Sequence, residues 1–252
     1  MKIAVCMKPV PATDTRVKIA ADGKHLDPAG VSMVINPYDE FAIEEALKLK
    51  EAHGGDVVLV TVGPASFQAT IKNGLAMGAD SAVLLGTQGE PDSLQVARAL
   101  AAELKDKGYD LVLCGKQAVD DDEAQVAPML GVLLGLPCVT VVTKLELSGT
   151  GAGAAAKAQR EIEGGLEDVT FALPAVVACQ KGLNEPRYPS LKGIMAAKKK
   201  TIEERPAALG DAGLEVVSLA LPAERSAGKI VGEGAAAVPE LVRLLREEAK
   251  VI

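Results

Sequence analysis

Asp110-Leu111-Val112-Leu113-Cys114-Gly115-Lys116-Gln117-Ala118-Val119-Asp120-Asp121-Asp122-Glu123-Ala124-Gln125-Val126 is the stretch on which the fold turns. Residues 110–114 form a short apolar run, the mark of a strand buried on both faces. Gly115 and the acids after it form a loop. The apolar periodicity that follows predicts a helix through about Leu134. The same strand, loop and helix order recurs upstream. Residues 2–7 are an apolar strand that Pro9 and Pro11 end. Residues 16–19 and 24–26 flank Asp22-Gly23, a hairpin signal. Asn36-Pro37 opens a helix that Gly54 closes. Strands at 56–62 and 82–85 alternate with helices at 66–77 and 94–105, the latter capped by Asp92. Strands separated by such helices imply right-handed crossovers and an open parallel α/β sheet.

The pattern changes after Pro137. Residues 138–147 and 157–162 are alternating strands around a flexible tip at 149–153. Residues 170–173 and 175–179 continue the β pattern, and an antiparallel segment added to the sheet is expected in this region. Residues 205–232 carry Pro206, Gly210, Gly213, Pro222 and Gly228 and predict an extended arm with one strand, 214–221. A terminal helix is expected over 238–250. The division that follows is an α/β nucleotide-binding domain over 1–200 and a C-terminal arm and helix over 201–252. The arm either embraces a partner or is an ordinary edge strand and helix of the same domain.

Composition narrows the function. The chain has 252 residues, 48% hydrophobic, with a net charge of −7. An acidic chain lacks the basic field of a general nucleic-acid binder. No apolar run is long enough to span a bilayer. The strand pattern starts at once, which leaves no room for a targeting peptide and suggests a prokaryotic cytoplasmic protein. Cys6, Cys114, Cys138 and Cys179 lie far apart and histidines are only two, so a zinc or iron–sulfur centre is not expected.

In open parallel sheets, ligands bind beyond the carboxyl ends of the strands where the strand order reverses. The loop 115–125 ends at a helix N-terminus, whose free N–H groups attract an anion such as phosphate. Asp120, Asp121 and Asp122 would repel phosphate, so they cannot all face it. One is expected to cap the helix and another to take ribose hydroxyls. By pattern alone an acidic helix cap is the stronger reading and a nucleotide loop the weaker one. Neither a P-loop nor a dinucleotide fingerprint is present. Farther on, Pro186 and Pro189 frame a stretch after which Leu191, Ile194 and Met195 recur at helical spacing, as in a short core helix or an exposed docking element.

Several segments together make a more specific signal. Gly115-Lys116-Gln117-Ala118-Val119-Asp120-Asp121-Asp122 resembles the AMP-binding loop of electron transfer flavoprotein beta subunits. Asn36-Pro37-Tyr38-Asp39-Glu40, Ala76-Met77-Gly78-Ala79-Asp80, residues 160–167 and Leu183-Asn184-Glu185-Pro186-Arg187-Tyr188-Pro189 resemble further family segments, in order over residues 1 to about 201. The tail matches only loosely, at Arg225-Ser226-Ala227-Gly228.

The resemblance implies an open five-stranded sheet like that of adenine-nucleotide alpha-hydrolase-like proteins, with AMP in this subunit. FAD would lie mainly on a separate alpha subunit. AMP contacts are implied for Cys6, Asn36, Pro37, Tyr38, Asp39, Val62, Gly115, Lys116, Gln117, Ala118, Val119, Asp120, Asp121, Asp122, Glu123, Ala124, Gln125 and Val126. Tyr38 and the loop at Asp14-Thr15 match positions near the flavin, although many relatives have an aromatic where Thr15 stands. Glu161 matches a residue that orients the mobile FAD domain. Leu191, with Ile194 and Met195, matches the loop that docks onto dehydrogenases.

The implied role is an electron carrier without bond-making chemistry, linking acyl-CoA and related dehydrogenases to a membrane quinone reductase. Relatives that bifurcate electrons hold a second FAD in place of AMP and resemble Asp-Gly-Asp at 120–122. Asp121 therefore favours AMP, although Ala124-Gln125-Val126 is closer to the bifurcating pattern. The rivals are a phosphate-cleaving α/β enzyme, disfavoured by the missing P-loop, and a stand-alone nucleotide sensor of the universal-stress type. The sensor reading would leave the Leu191 segment without a purpose.

Overall fold

The computed structural model describes residues 1–224 and 227–252; Arg225 and Ser226, within the loosely matching tail segment, lie outside the described residues. At its centre is β1 (Lys2–Cys6). Ile3 and Val5 pack into one core, while Ala4 and Cys6 pack into the other. A strand covered on both faces has no polar side to present, which is why this run lacks alternation. β1 pairs in parallel with β4 (Asp56–Gly63) on one side and with β6 (Leu111–Gly115) on the other. Two further short strands, β2 (Pro9–Pro11) and β3 (Met33–Ile35), form a separate antiparallel ribbon.

The main sheet has nine strands. With β5 (Ser81–Gly86), β7 (Cys138–Leu147), β8 (Ala155–Ile162), β9 (Gly165–Ala172), β10 (Ala175–Cys179) and β11 (Ile202–Pro206), its order is β11-β5-β4-β1-β6-β10-β7-β8-β9. Pairing is parallel from β11 to β7, and β8 and β9 extend the sheet by antiparallel pairing. The open parallel sheet with an antiparallel extension agrees with the sequence reading. The parallel part is wider than five strands because β10 inserts between β6 and β7, and β11 adds to the far edge. The strand order reverses at β1, so the crevice between the exits of β1 and β6 is the binding position that this topology favours.

Helices cover both faces. α1 (Pro37–His53) and α2 (Gln68–Met77) supply Ile43, Leu47, Ile71 and Leu75 to one core. α3 (Ser93–Leu104) and α4 (Val126–Leu134) supply Leu100, Leu104 and Leu130 to the other. Asp92 caps α3 as expected, accepting from the Gln95 amide at 2.8 Å in a capping box. The same carboxylate accepts the Gly213 and Leu214 amides at 2.6 and 3.0 Å, so the arm is tied to its own domain there. No helix among the described residues is long and apolar enough to cross a membrane.

Several local expectations fail for identifiable reasons. The first strand ends before Pro9 and Pro11 as expected, but the prolines themselves enter the β2–β3 ribbon, where a missing N–H is tolerated at an outward edge. The hairpin around Asp22-Gly23 shrinks to one bridge, Ile19 to Leu26. There the Asp22 carboxylate takes the Lys24 and His25 amides that a ladder would use. The expected strand at 214–221 is absent among the described residues: no sheet edge lies beside it. The terminal helix, α6 (Val238–Glu247), is shorter than expected and buries none of its residues.

Candidate functional site

Asp39 is the hub of the crevice. It lies in the first turn of α1 and is 5% exposed. One carboxylate oxygen accepts the Lys8 amide just past β1, at 2.7 Å; the other accepts the Gly115 amide at the end of β6 and Asn36 Nδ2, both at 3.0 Å. Asn36 completes the junction. Its Nδ2 donates to the Gln117 carbonyl at 2.8 Å and its Oδ1 accepts the Val119 amide at 3.2 Å. Two side chains thus hold both strand exits in register. Gly115 is required for the approach, because a Cβ there would lie 2.2 Å from Asp39 Oδ1. Tyr38 stands beside this junction with the Lys116 ammonium 5.5 Å from its ring centroid.

The loop from Gly115 to Val126 is not a capped helix start. α4 begins only at Val126, preceded by Gln125, and no side chain caps it. The expectation that an aspartate caps this helix is therefore corrected. The reason is Lys8. Its Nζ lies 2.8 Å from Asp120 and 2.7 Å from Asp121, which draws both carboxylates toward β1. Burial pulls the Lys8 ammonium down, but its hydrogen bonds to both aspartates outweigh this and leave it above its ordinary value. Asp121 also accepts the Glu123 amide, Asp122 takes Gln117 Nε2, and Glu123 engages the Ser93 hydroxyl. Asp122 and Ala124 adopt positive φ of 52° and 55°, which turns the chain into α4.

The acids of this loop are thus occupied within the loop and with Lys8. The Val126 and Ala127 amides donate to no partner among the described residues. Free first-turn amides fit an anionic phosphate, and the repulsion expected from three aspartates is reduced where Lys8 offsets part of the charge of Asp120 and Asp121. Cys6 stands at the end of β1 in register with Cys114, and Val62 lies near the end of β4. Both are at the carboxyl end of the sheet, so backbone contacts are what they offer. Thr15 sits in the turn after β2, its amide bonded to the Ala12 carbonyl, and makes no hydrogen bond to the crevice among the described residues.

The segment 183–190 is fastened to α1. Arg187 donates to Glu44 from Nε and Nη2, at 2.8 and 2.9 Å, and to Glu51 from Nη1 at 2.5 Å. Glu44 is 5% exposed, so this is a largely desolvated pair. Asn184 Nδ2 bonds the Phe41 carbonyl and Glu45. Ser190 caps α5 (Leu191–Ala197) through the Gly193 amide at 3.0 Å. A Cβ on Gly193 would fall 2.2 Å from the Ala76 carbonyl, so α5 turns that face onto α2. Leu191 and Met195 point outward, 84% and 60% exposed, with Ile194 and Tyr188 also exposed. The core-helix alternative therefore falls. Glu161 lies on β8, exposed, and accepts from Gln180 Nε2 at 3.1 Å.

The residues brought together are thus Asn36, Tyr38, Asp39 and the loop Gly115 to Val126. Leu191, Ile194 and Met195 form a second, separate surface. Lys8 and Arg187 were missed as site residues. Lys8 follows directly on an apolar strand, and a cation at a strand exit facing an acidic loop was the available signal. Arg187 stood inside a quoted segment, but its partner Glu44 lies far away in sequence.

The electron transfer flavoprotein domain family matches residues 24–209. The chain is 45% identical to the electron transfer flavoprotein subunit beta of Bacillus subtilis (strain 168), over 95% of this chain and 96% of that one. It is 42% identical to the protein of the same name from Bradyrhizobium diazoefficiens, over the full length of both. The subunit beta of Mus musculus is 38% identical, over 100% of this chain and 99% of its own. Family match and full-length similarity agree: this chain belongs to the electron transfer flavoprotein family, as a beta subunit.

Proposed function

We propose that this chain holds AMP and pairs with an alpha subunit that carries the redox FAD. The heterodimer conveys electrons from acyl-CoA and related dehydrogenases to a membrane quinone reductase. The observation that carries the AMP site is the loop after β6: its acids are turned toward Lys8, Gln117, Ser93 and the Glu123 amide, leaving the α4 amides free for phosphate. Asn36, Pro37, Tyr38 and Asp39 wall one side, Cys6 and Val62 the sheet ends, and the loop itself the other. When bound, FAD supplies the redox chemistry; this chain's residues bind, orient and exclude water. Tyr38 and Thr15 border the flavin, and Glu161 biases the orientation of its domain. Asp121 favours AMP over a second FAD, since its carboxylate is committed to Lys8 and the Glu123 amide.

Residues 1–200 serve as the nucleotide-binding domain with the docking segment 183–200. Residues 201–252 serve as an arm and helix that pack on the partner, Ile202–Pro206 anchoring them to the sheet. Exposed Leu214, Val217, Leu221, Ile230, Val238 and Leu241 support that assignment. Coexpression with the alpha subunit should yield a yellow heterodimer whose denaturation releases one AMP and one FAD, identified by mass spectrometry. Two FAD and no AMP would convert the reading to a bifurcating subunit. A colourless monomer releasing a nucleotide would favour the stand-alone sensor.

Leu191, with Ile194 and Met195, is the proposed anchor for donor dehydrogenases. Burying a leucine side chain is worth ~1.5–3 kcal/mol, so Leu191→Ala should weaken docking roughly ten- to a hundredfold. The melting temperature, flavin spectrum and AMP content should stay near wild type, because Leu191 is exposed when unbound. Unchanged reduction kinetics at low heterodimer concentration would remove Leu191 as the anchor.

A further inference from the structure

Beside the docking segment, and sharing Pro37 with the proposed nucleotide site, lies a cleft of about 410 Å³ whose Glu40 has no role above. Ile35, Phe41, Met77, Pro186 and Pro189 give it apolar walls. Glu40 stands among them, half-buried, and its carboxylate has no hydrogen-bond or ion-pair partner among the described residues. Burial alone pushes the Glu40 carboxyl above its ordinary value. The other charged group in the lining, Arg187, is already spent on Glu44 and Glu51. The cleft thus offers one carboxylate without a partner among mostly apolar walls. Tyr188, 94% exposed, stands at its lining with a free aromatic face.

We propose that this cleft receives a basic side chain, arginine or lysine, of the redox partner that docks at Leu191. The chemistry matches each part. The aliphatic stem of such a side chain covers the apolar walls, its cation meets Glu40, and Tyr188 can stack on it. The choice of a redox partner rather than the alpha subunit rests on continuity: Pro186 to Pro189 line the cleft and lead directly into Ser190 and exposed Leu191. An apolar anchor beside a charge-reading socket divides the work, Leu191 giving affinity and Glu40 selecting the partner and its orientation. The inference deepens the docking role proposed for Leu191 and rests on it.

The test uses the intact heterodimer as electron acceptor for an acyl-CoA dehydrogenase reduced by its substrate. Glu40→Gln removes the charge without shortening the side chain, and Asn73→Trp fills the cleft from the exposed surface of α2. Each is expected to raise KM for the heterodimer about fivefold or more, with kcat and flavin spectrum unchanged. The salt dependence of KM should flatten for Glu40→Gln alone. The melting temperature of Glu40→Gln should hold or rise, since an unpaired desolvated charge is lost. A fall in melting temperature would make Glu40 a structural ion and overturn the proposal. So would a raised KM for Asn73→Trp with an unchanged KM for Glu40→Gln, which would give the cleft to an uncharged group. Impaired heterodimer assembly with unchanged KM would assign it to the alpha subunit, again overturning it. If both variants stay within twofold of wild type while Leu191→Ala is defective, the socket fails and the docking face stands. If Leu191→Ala is also normal, both fail.

Discussion

Asp39→Ala is expected to cost at least about 3 kcal/mol of stability and to abolish nucleotide retention. The substitution strands the Lys8 amide, the Gly115 amide and Asn36 Nδ2 in a buried junction. Each stranded buried donor costs ~1–3 kcal/mol. Because these donors lie on both strand exits, the loop that offers its amides to phosphate loses its position together with the stability. Urea unfolding and the nucleotide content of the purified heterodimer measure the two effects. A near-normal midpoint with full AMP would show that the junction is not what holds the loop.

Asp39 also sets a pH dependence. Burial pushes its carboxyl up to about 7 from an ordinary 3.8, outweighing its hydrogen bonds from Lys8, Asn36 and Gly115. Between about pH 4 and 7 the folded chain therefore keeps a proton that the unfolded chain has released. Stability must then decline as pH rises through that window and level off above it. Asp39→Asn does not titrate and should lack this decline. Parallel slopes for the two proteins would place the ionisation elsewhere.

Arg187→Ala is expected to lower stability by about 3 kcal/mol, toward the low end of the ~3–5 kcal/mol for breaking a buried pair, because Arg187 itself is partly exposed. For a chain of this size, that is a drop in melting temperature on the order of 6–12 °C. The cause is Glu44, left charged and buried without its partner. Arg187→Lys should recover little, since an ammonium cannot span Glu44 and Glu51 in the bidentate manner of a guanidinium. Combining Arg187→Met with Glu44→Gln should restore much of the loss by removing both charges. If the double variant melts no higher than Arg187→Ala, the stranded charge is not the cause.

The arrangement of the parallel sheet was legible where a segment is buried on both faces. Residues 2–6 and 111–114 announce themselves as continuous apolar runs; the start of α1 follows from Pro37 at the first helical position and that of α3 from the Asp92 cap, whereas Asn36 caps no helix amide and turns its side chain to Asp39 and the loop after β6. Strand order was less accessible. Nothing within residues 175–179 says that they insert between β6 and β7, because that choice is made by packing against both neighbours. The loop between β6 and α4 is legible in the sequence, but the sequence alone gives one of its aspartates to a helix cap that does not form. Their true partner, Lys8, is 112 residues from Asp120 and joins it only once the sheet forms. The helix at Leu191 shows the limit of periodicity: its spacing suits a core, yet the small residues Gly193 and Ala197 form the face that turns inward. Asn36 and Asp39 were identified by resemblance, whereas their role as the clasp between two strand exits appears only in three dimensions.

α6 buries none of its residues, while Val238, Leu241 and Val242 line up along it. A chain synthesised without its partner carries that oily stripe into a crowded solution, where it can self-associate or be cut before it pairs. Under the proposed packing of residues 201–252 on the partner, chain made in excess of that partner is expected to be short-lived, and the partner's supply to set how much of it persists.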